Sequence, residues 1–197
     1  MQQFSPMQSF REAYDCLHQF LQNSENEDKM LAAIELCSQA LRSGSQIISC
    51  GNGGSMCDAM HFAEELSGRY RKDRPALPAM AISDPAYMSC VANDYGYNSV
   101  FSRWVEAFGK DGDVLIAIST SGKSSNILEA CQAAKKRNMK IIGLSGKDGG
   151  SLIDMASPCF VVPGITTDRI QELHIKILHI MIEGIERSLF PKLYCPS

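Results

Sequence analysis

The run VLIAISTSGKSSNILEACQAAKKR (114–137) decides the fold. Its opening, VLIAIS (114–119), is a short apolar stretch of the length and composition of a buried strand. From Asn126 to Arg137 the pattern changes to that of a helix, and between the two lies a turn of small hydroxyl residues around Gly122. A strand feeding a helix through such a turn is half of a βαβ unit. The arrangement recurs upstream, where IISC (47–50) leads through Gly51-Asn52-Gly53-Gly54-Ser55 into a helix over Cys57 to Tyr70.

Further runs at AMAIS (79–83), IIGLS (141–145) and CFVVP (159–163) also read as strands, with helices over Val100 to Phe108 and Asp168 to Leu189. Buried strands alternating with helices specify an α/β protein with a five-stranded parallel sheet flanked by helices, a three-layer sandwich. Ahead of it, Phe10, Tyr14, Leu17, Leu21 and then Met30, Ile34, Cys37, Leu41 recur every three or four residues around the polar break NSENED. They predict an N-terminal helical pair over 1–43, packed on a single domain over 1–197. The final helix carries the stripe Leu178, Ile182, Ile185, Leu189, which together with the helical pair offers surface to a second subunit, so a homo-oligomer is expected.

The 197 residues are 45% hydrophobic, enough for a substantial core, and a formal net charge of −3 leaves no basic surplus for a nucleic-acid backbone. The eight cysteines include no C-x-x-C pair, which argues against a cysteine zinc site or a redox motif. The opening MQQFSPMQSFREAYD is too polar for a signal core, and no apolar run reaches the ~18 residues of a membrane span. No nucleic-acid partner, no membrane and a cytoplasmic location are the expectations.

In open parallel sheets, ligands bind beyond the carboxyl ends of the strands, where helix N-termini favour anions. Both loops sit there. Ser119, Thr120, Ser121 and Ser124 supply four hydroxyls in six residues, and Gly122 lets the backbone turn closely around a small phosphate. Neither loop has Walker or dinucleotide-binding spacing. Either loop alone could be an ordinary capped turn; two at the ends of buried strands point to a phosphate ligand. On the helix after the first loop, His61 and Glu65 share a face, and on the last helix Gln171 and His179 lie two turns apart. Spacing alone makes this weak evidence for a metal.

The segments SCGNGGS (49–55), DAMHFAEEL (58–66), R-P-x-x-P-A-x-A-I-S-D (74–84), ANDYG (92–96), I-S-T-S-G-x-S (118–124), GKDGG (146–150) and DRIQELHIKILH (168–179) together resemble the bacterial phosphoheptose isomerases of the sugar isomerase (SIS) fold. The resemblance implies an aldose–ketose isomerase that converts sedoheptulose 7-phosphate to D-glycero-D-manno-heptose 7-phosphate through an enediol, the first step towards ADP-heptose and the lipopolysaccharide core. It implies a homotetramer with one zinc ion per subunit held by His61, Glu65, Gln171 and His179, and Glu65 and His179 as the catalytic acid–base pair. It further implies a phosphate cradle of Ser119, Thr120, Ser121 and Ser124, and a sugar site lined by Asn52, Gly53, Gly54, Glu65, Asn93, Asp94 and Gln171. His174 has no place in that metal set and reads as structural, Asp168 reads as a capping or supporting residue, and Met56 stands where some relatives carry histidine. The rival expectation is a noncatalytic SIS module that binds a replication initiator; retention of His61, Glu65, Gln171 and His179 argues against it.

Overall fold

A computed structural model of the protein describes residues 4–195. Two helices, α1 (Pro6–Gln22) and α2 (Glu25–Arg42), lead into β1 (Ile47–Gly51), α3 (Gly54–Ser67), β2 (Ala79–Ala81), α4 (Pro85–Tyr95) and α5 (Ser102–Phe108). They are followed by β3 (Val114–Ile118), α6 (Ser125–Lys136), β4 (Lys140–Gly146), β5 (Cys159–Val162) and α7 (Thr167–Leu189). All neighbouring strands are parallel, in the order β2-β1-β3-β4-β5.

The alternation of side chains along each strand builds the layers. Ile47 on β1 and Val114, Ile116 and Ile118 on β3 face a core shared with α2, α3 and α7. Ile48, Cys50, Leu115 and Ala117 point the other way, into a core with α5 and α6. With both faces covered, the central strands can be apolar throughout, and β1 and β3 are buried along their whole lengths. The helical pair is built onto the first face: Ala33, Cys37 and Ala40 of α2, and Cys16 and Phe20 of α1, belong to the same core as α7.

All five expected strands are present, each within the expected run or one residue beyond it. Three local differences bear on function. The helix expected from Cys57 begins at Gly54, so the last two residues of the glycine loop, Gly54 and Ser55, already belong to the first turn of α3. The helix expected from Val100 begins at Ser102, after a short 3-10 turn over Tyr97–Ser99. Helix α4 occupies a stretch whose sequence shows no clear helical pattern; Asp84 caps it by accepting from the Tyr87 amide at 2.6 Å, and Pro85 opens it. Among the described residues, no helix is long and apolar enough to cross a membrane.

Because β1 connects outward to β2 and the chain then returns to β3 on the opposite side of β1, the sheet has its topological switch between β1 and β3. The two loops singled out in the sequence leave those two strands, so they form opposite lips of the crevice where ligands bind in this architecture.

Candidate active site

The lips are tied together. Asn52 and Asn126 exchange two amide hydrogen bonds, at 2.9 Å and 2.8 Å, and the Tyr97 hydroxyl donates to Asn52 Oδ1 at 3.3 Å. Asn126 is buried in the first turn of α6. Neither Asn126 nor Tyr97 was found from sequence: one reads as an ordinary helix-start residue and the other as a loop aromatic.

On the β3 lip, Ser119 and Ser124 place their hydroxyls 3.0 Å apart, and Ser121 Oγ accepts from the Lys123 amide at 3.2 Å. Ser124 is the N-cap of α6, yet its hydroxyl makes no cap bond, which leaves it facing the loop interior. Gly122 is held at φ 63°, and a Cβ there would run into the Gly149 carbonyl. Only glycine lets the loop lie this close to the segment after β4. On the β1 lip, Gln171 Nε2 donates to Ser55 Oγ at 3.4 Å, and a Cβ at Gly54 would stand 2.7 Å from the Gln171 amide. The glycine thus brings the start of α3 against α7.

One turn-pair further along these helices, His61, Glu65 and His179 converge, with their donor atoms all within 4.8 Å of one another. His61 Nε2 is 2.9 Å from His179 Nε2 and 3.6 Å from Glu65 Oε1. Glu64 Oε1 lies 3.4 Å from His61 Nδ1, favouring a proton on that nitrogen and a lone pair on Nε2. Tyr70 stacks on the His179 ring at 5.9 Å. Burial raises the Glu65 pKa, reinforced by the Glu64 charge and opposed by His61, so its carboxylate is a stronger base than usual. Burial, and then the charge on His61, lowers that of His179.

Two imidazole nitrogens aimed at each other at 2.9 Å require a shared proton or a shared cation between them. Nitrogens each ~2.0–2.1 Å from one tetrahedral ion stand about 3.4 Å apart, so the two rings would need to part by only about half an ångström to hold one. Two imidazoles and a carboxylate also have the donor chemistry of a zinc site that keeps a position open. The residues fit a divalent ion.

Of the remaining expected residues, Asn93 and Asp94 lie exposed at the end of α4, where Asn93 Nδ2 donates to Asp94 Oδ1 at 2.8 Å. Tyr97, three residues after Asp94, is the residue of this segment that bonds to the crevice, through Asn52. Asp168 sits in the first turn of α7, paired with Arg169 at 3.5 Å. His174 is buried and bonds to the Ser145 carbonyl at 2.9 Å, a structural placement.

A parallel sheet with hydroxyl and glycine lips at its switch point, and a His–Glu–His group beside them, is the make-up of a phosphosugar-handling α/β protein. The SIS domain family matches residues 9–146. The phosphoheptose isomerase of Cytophaga hutchinsonii is 55% identical over 179 residues, covering 90% of this chain and 94% of that one. The solved phosphoheptose isomerase GmhA of Neisseria gonorrhoeae superposes with a TM-score of 0.84 at 38% identity, over 91% of this chain and 96% of that one. The corresponding structure from Francisella tularensis gives 0.83 at 32% identity, over 93% and 100%. The chain belongs to the SIS domain family and, within it, to the phosphoheptose isomerases.

Proposed function

We propose that the protein converts sedoheptulose 7-phosphate to D-glycero-D-manno-heptose 7-phosphate, in the cytoplasm, as the first step towards ADP-heptose for lipopolysaccharide. The observation that carries the reading is the convergence of His61, Glu65 and His179 from two helices beside the two loops of the switch crevice. The phosphate is held by Ser119, Thr120, Ser121 and Ser124, and the sugar by Asn52, Gly53, Gly54, Asn93, Asp94 and Gln171.

Moving the carbonyl from C2 to C1 needs one group to carry a carbon-bound proton and another to carry a hydroxyl proton. Glu65, as carboxylate, takes the proton from C1 to give the enediol and returns it to C2. His179 moves the proton between the C1 and C2 oxygens. A zinc ion held by His61, Glu65 and His179, with Gln171 as the fourth ligand that the family resemblance implies, would polarise those oxygens and offset the negative charge that builds on them. The burial that raises Glu65 suits it to the base role.

The exposed apolar side chains Met7, Phe10, Tyr14 and Leu21 along α1 support assembly with further copies, in the tetramer that the family resemblance implies. The test of the proton-transfer roles is a pair of near-isosteric variants, Glu65→Gln and His179→Gln. Both are expected to fold and bind substrate while turnover falls by roughly 10²–10⁴-fold; turnover retained in Glu65→Gln would overturn the assignment.

A further inference from the structure

The side chain of Arg74, at the start of the R-P-x-x-P motif, is fully buried and pairs with the equally buried side chain of Glu186, Nε to Oε1, at 2.8 Å. The other arms of its guanidinium reach the end of α3. Nη2 donates to the Glu65 carbonyl at 2.7 Å, and Nη1 donates to the carbonyls of Leu66 at 2.7 Å and Gly68 at 3.2 Å. The last carbonyls of a helix have no partner within it and carry its negative dipole end, so a buried cation is well matched to them. Glu186 is held in turn by the Tyr194 hydroxyl, whose pKa is pushed up to about 12 by burial and the Glu186 charge.

What makes this more than a helix cap is where its two ends lie. Glu65 is a member of the converging group, and the guanidinium grips its own backbone carbonyl. Glu186 is seven residues, two turns, beyond His179 and so lies on the same stripe of α7. A single planar group therefore fixes the last turn of α3 and the His179 stripe of α7 relative to one another. Lysine could supply the charge but not the fork.

We propose that Arg74 is a positioning residue: seated on Glu186, it sets where the Glu65 carboxyl stands relative to His179. The inference rests on Glu65 and His179 being the proton-transfer pair. A misplacement of about 1 Å at reacting groups costs on the order of 10²-fold in rate, so the clamp would be felt in turnover rather than in substrate binding.

Replacing a buried ion pair by apolar residues of similar volume is often neutral for stability. The double variant Arg74→Met/Glu186→Leu thus removes the clamp without leaving a lone buried charge. It is expected to fold with a lower melting temperature, because the carbonyls of Glu65, Leu66 and Gly68 lose their donor, and to keep KM for sedoheptulose 7-phosphate while kcat falls by about tenfold or more. Should it fail to fold, Arg74→Lys takes its place with the same expectation. A folded variant that keeps the parent kcat, or that changes only KM, overturns the proposal. Glu65→Gln measured alongside separates the two claims: if it turns over normally the acid–base reading has failed, and if it is inactive while the clamp variant is fully active only the clamp has failed.

Discussion

His61 and His179, separated by 118 positions in the chain, bring their Nε2 atoms to within 2.9 Å. The contact exists because α3 leaves β1 at the switch point and α7 packs against α3, with Gly54 allowing the close approach of Gln171 at the loop end and Arg74 clamping the other. Glu64, beside His61 Nδ1, completes the orientation of that ring.

That arrangement sets an order of metal affinities. His61→Ala removes a donor and should abolish tight zinc binding. Glu64→Ala leaves every donor in place but frees the ring, and should weaken binding by about 10–100-fold, the usual cost of losing a partner to a metal-bound histidine. Competition with a zinc-binding dye measures both. Equal affinity in parent and His61→Ala would remove His61 from the metal set.

Ser121→Ala should act on binding. Its hydroxyl would contact the phosphate in ground and transition states alike, so KM rises while kcat holds. One hydrogen bond to a charged group contributes about 1.5–3 kcal/mol, which corresponds to a KM increase of roughly 10–100-fold. Initial rates across a substrate series decide it, and a fall in kcat with unchanged KM would contradict the cradle.

Gly122→Ala should damage the same loop by backbone strain. At φ 63° a side chain is disfavoured, and the Cβ would meet the Gly149 carbonyl. We expect a loss of about 1–3 kcal/mol in denaturant unfolding, together with weakened phosphate binding. A variant as stable as the parent would show that the loop relaxes freely.

Stability should depend on pH through His174. Burial holds its pKa down to about 4, against an ordinary 6.5, and its Nδ1 has no partner among the described residues. Between those two values the unfolded chain takes up a proton that the folded chain refuses. The contribution is therefore present above pH 6.5 and is lost as pH falls towards 4, amounting to roughly 3 kcal/mol. Asp58 acts in the opposite sense: burial raises its pKa to about 6, so it favours the folded state at low pH and loses that effect as pH rises. Comparing the parent with His174→Gln isolates the histidine, whose removal should flatten the acid-side decline in unfolding free energy. An unchanged decline would contradict it.

The strands were readable because each is a short apolar run buried on both faces, and the two ligand loops because glycine and hydroxyl residues punctuate those runs. Helix α4 was not, since its apolar periodicity is weak and only Asp84 and Pro85 announce it. The site was legible in half: His61 and Glu65 share a helix turn, but nothing in their spacing brings His179 to them. That step came from the family resemblance alone. The roles of Asn126 and Arg74 were invisible for the same reason, since Asn126 bonds to Asn52 and Arg74 pairs with Glu186, each more than 70 residues away.

The most direct test of the account is aldoheptose formation from sedoheptulose 7-phosphate by the protein as purified, after chelation, and after resupply of zinc. Activity that is lost on chelation and restored by zinc is the predicted result. Isomerisation indifferent to chelation would contradict the metal role of His61, Glu65 and His179, and the absence of isomerisation in all three states would contradict the enzyme itself.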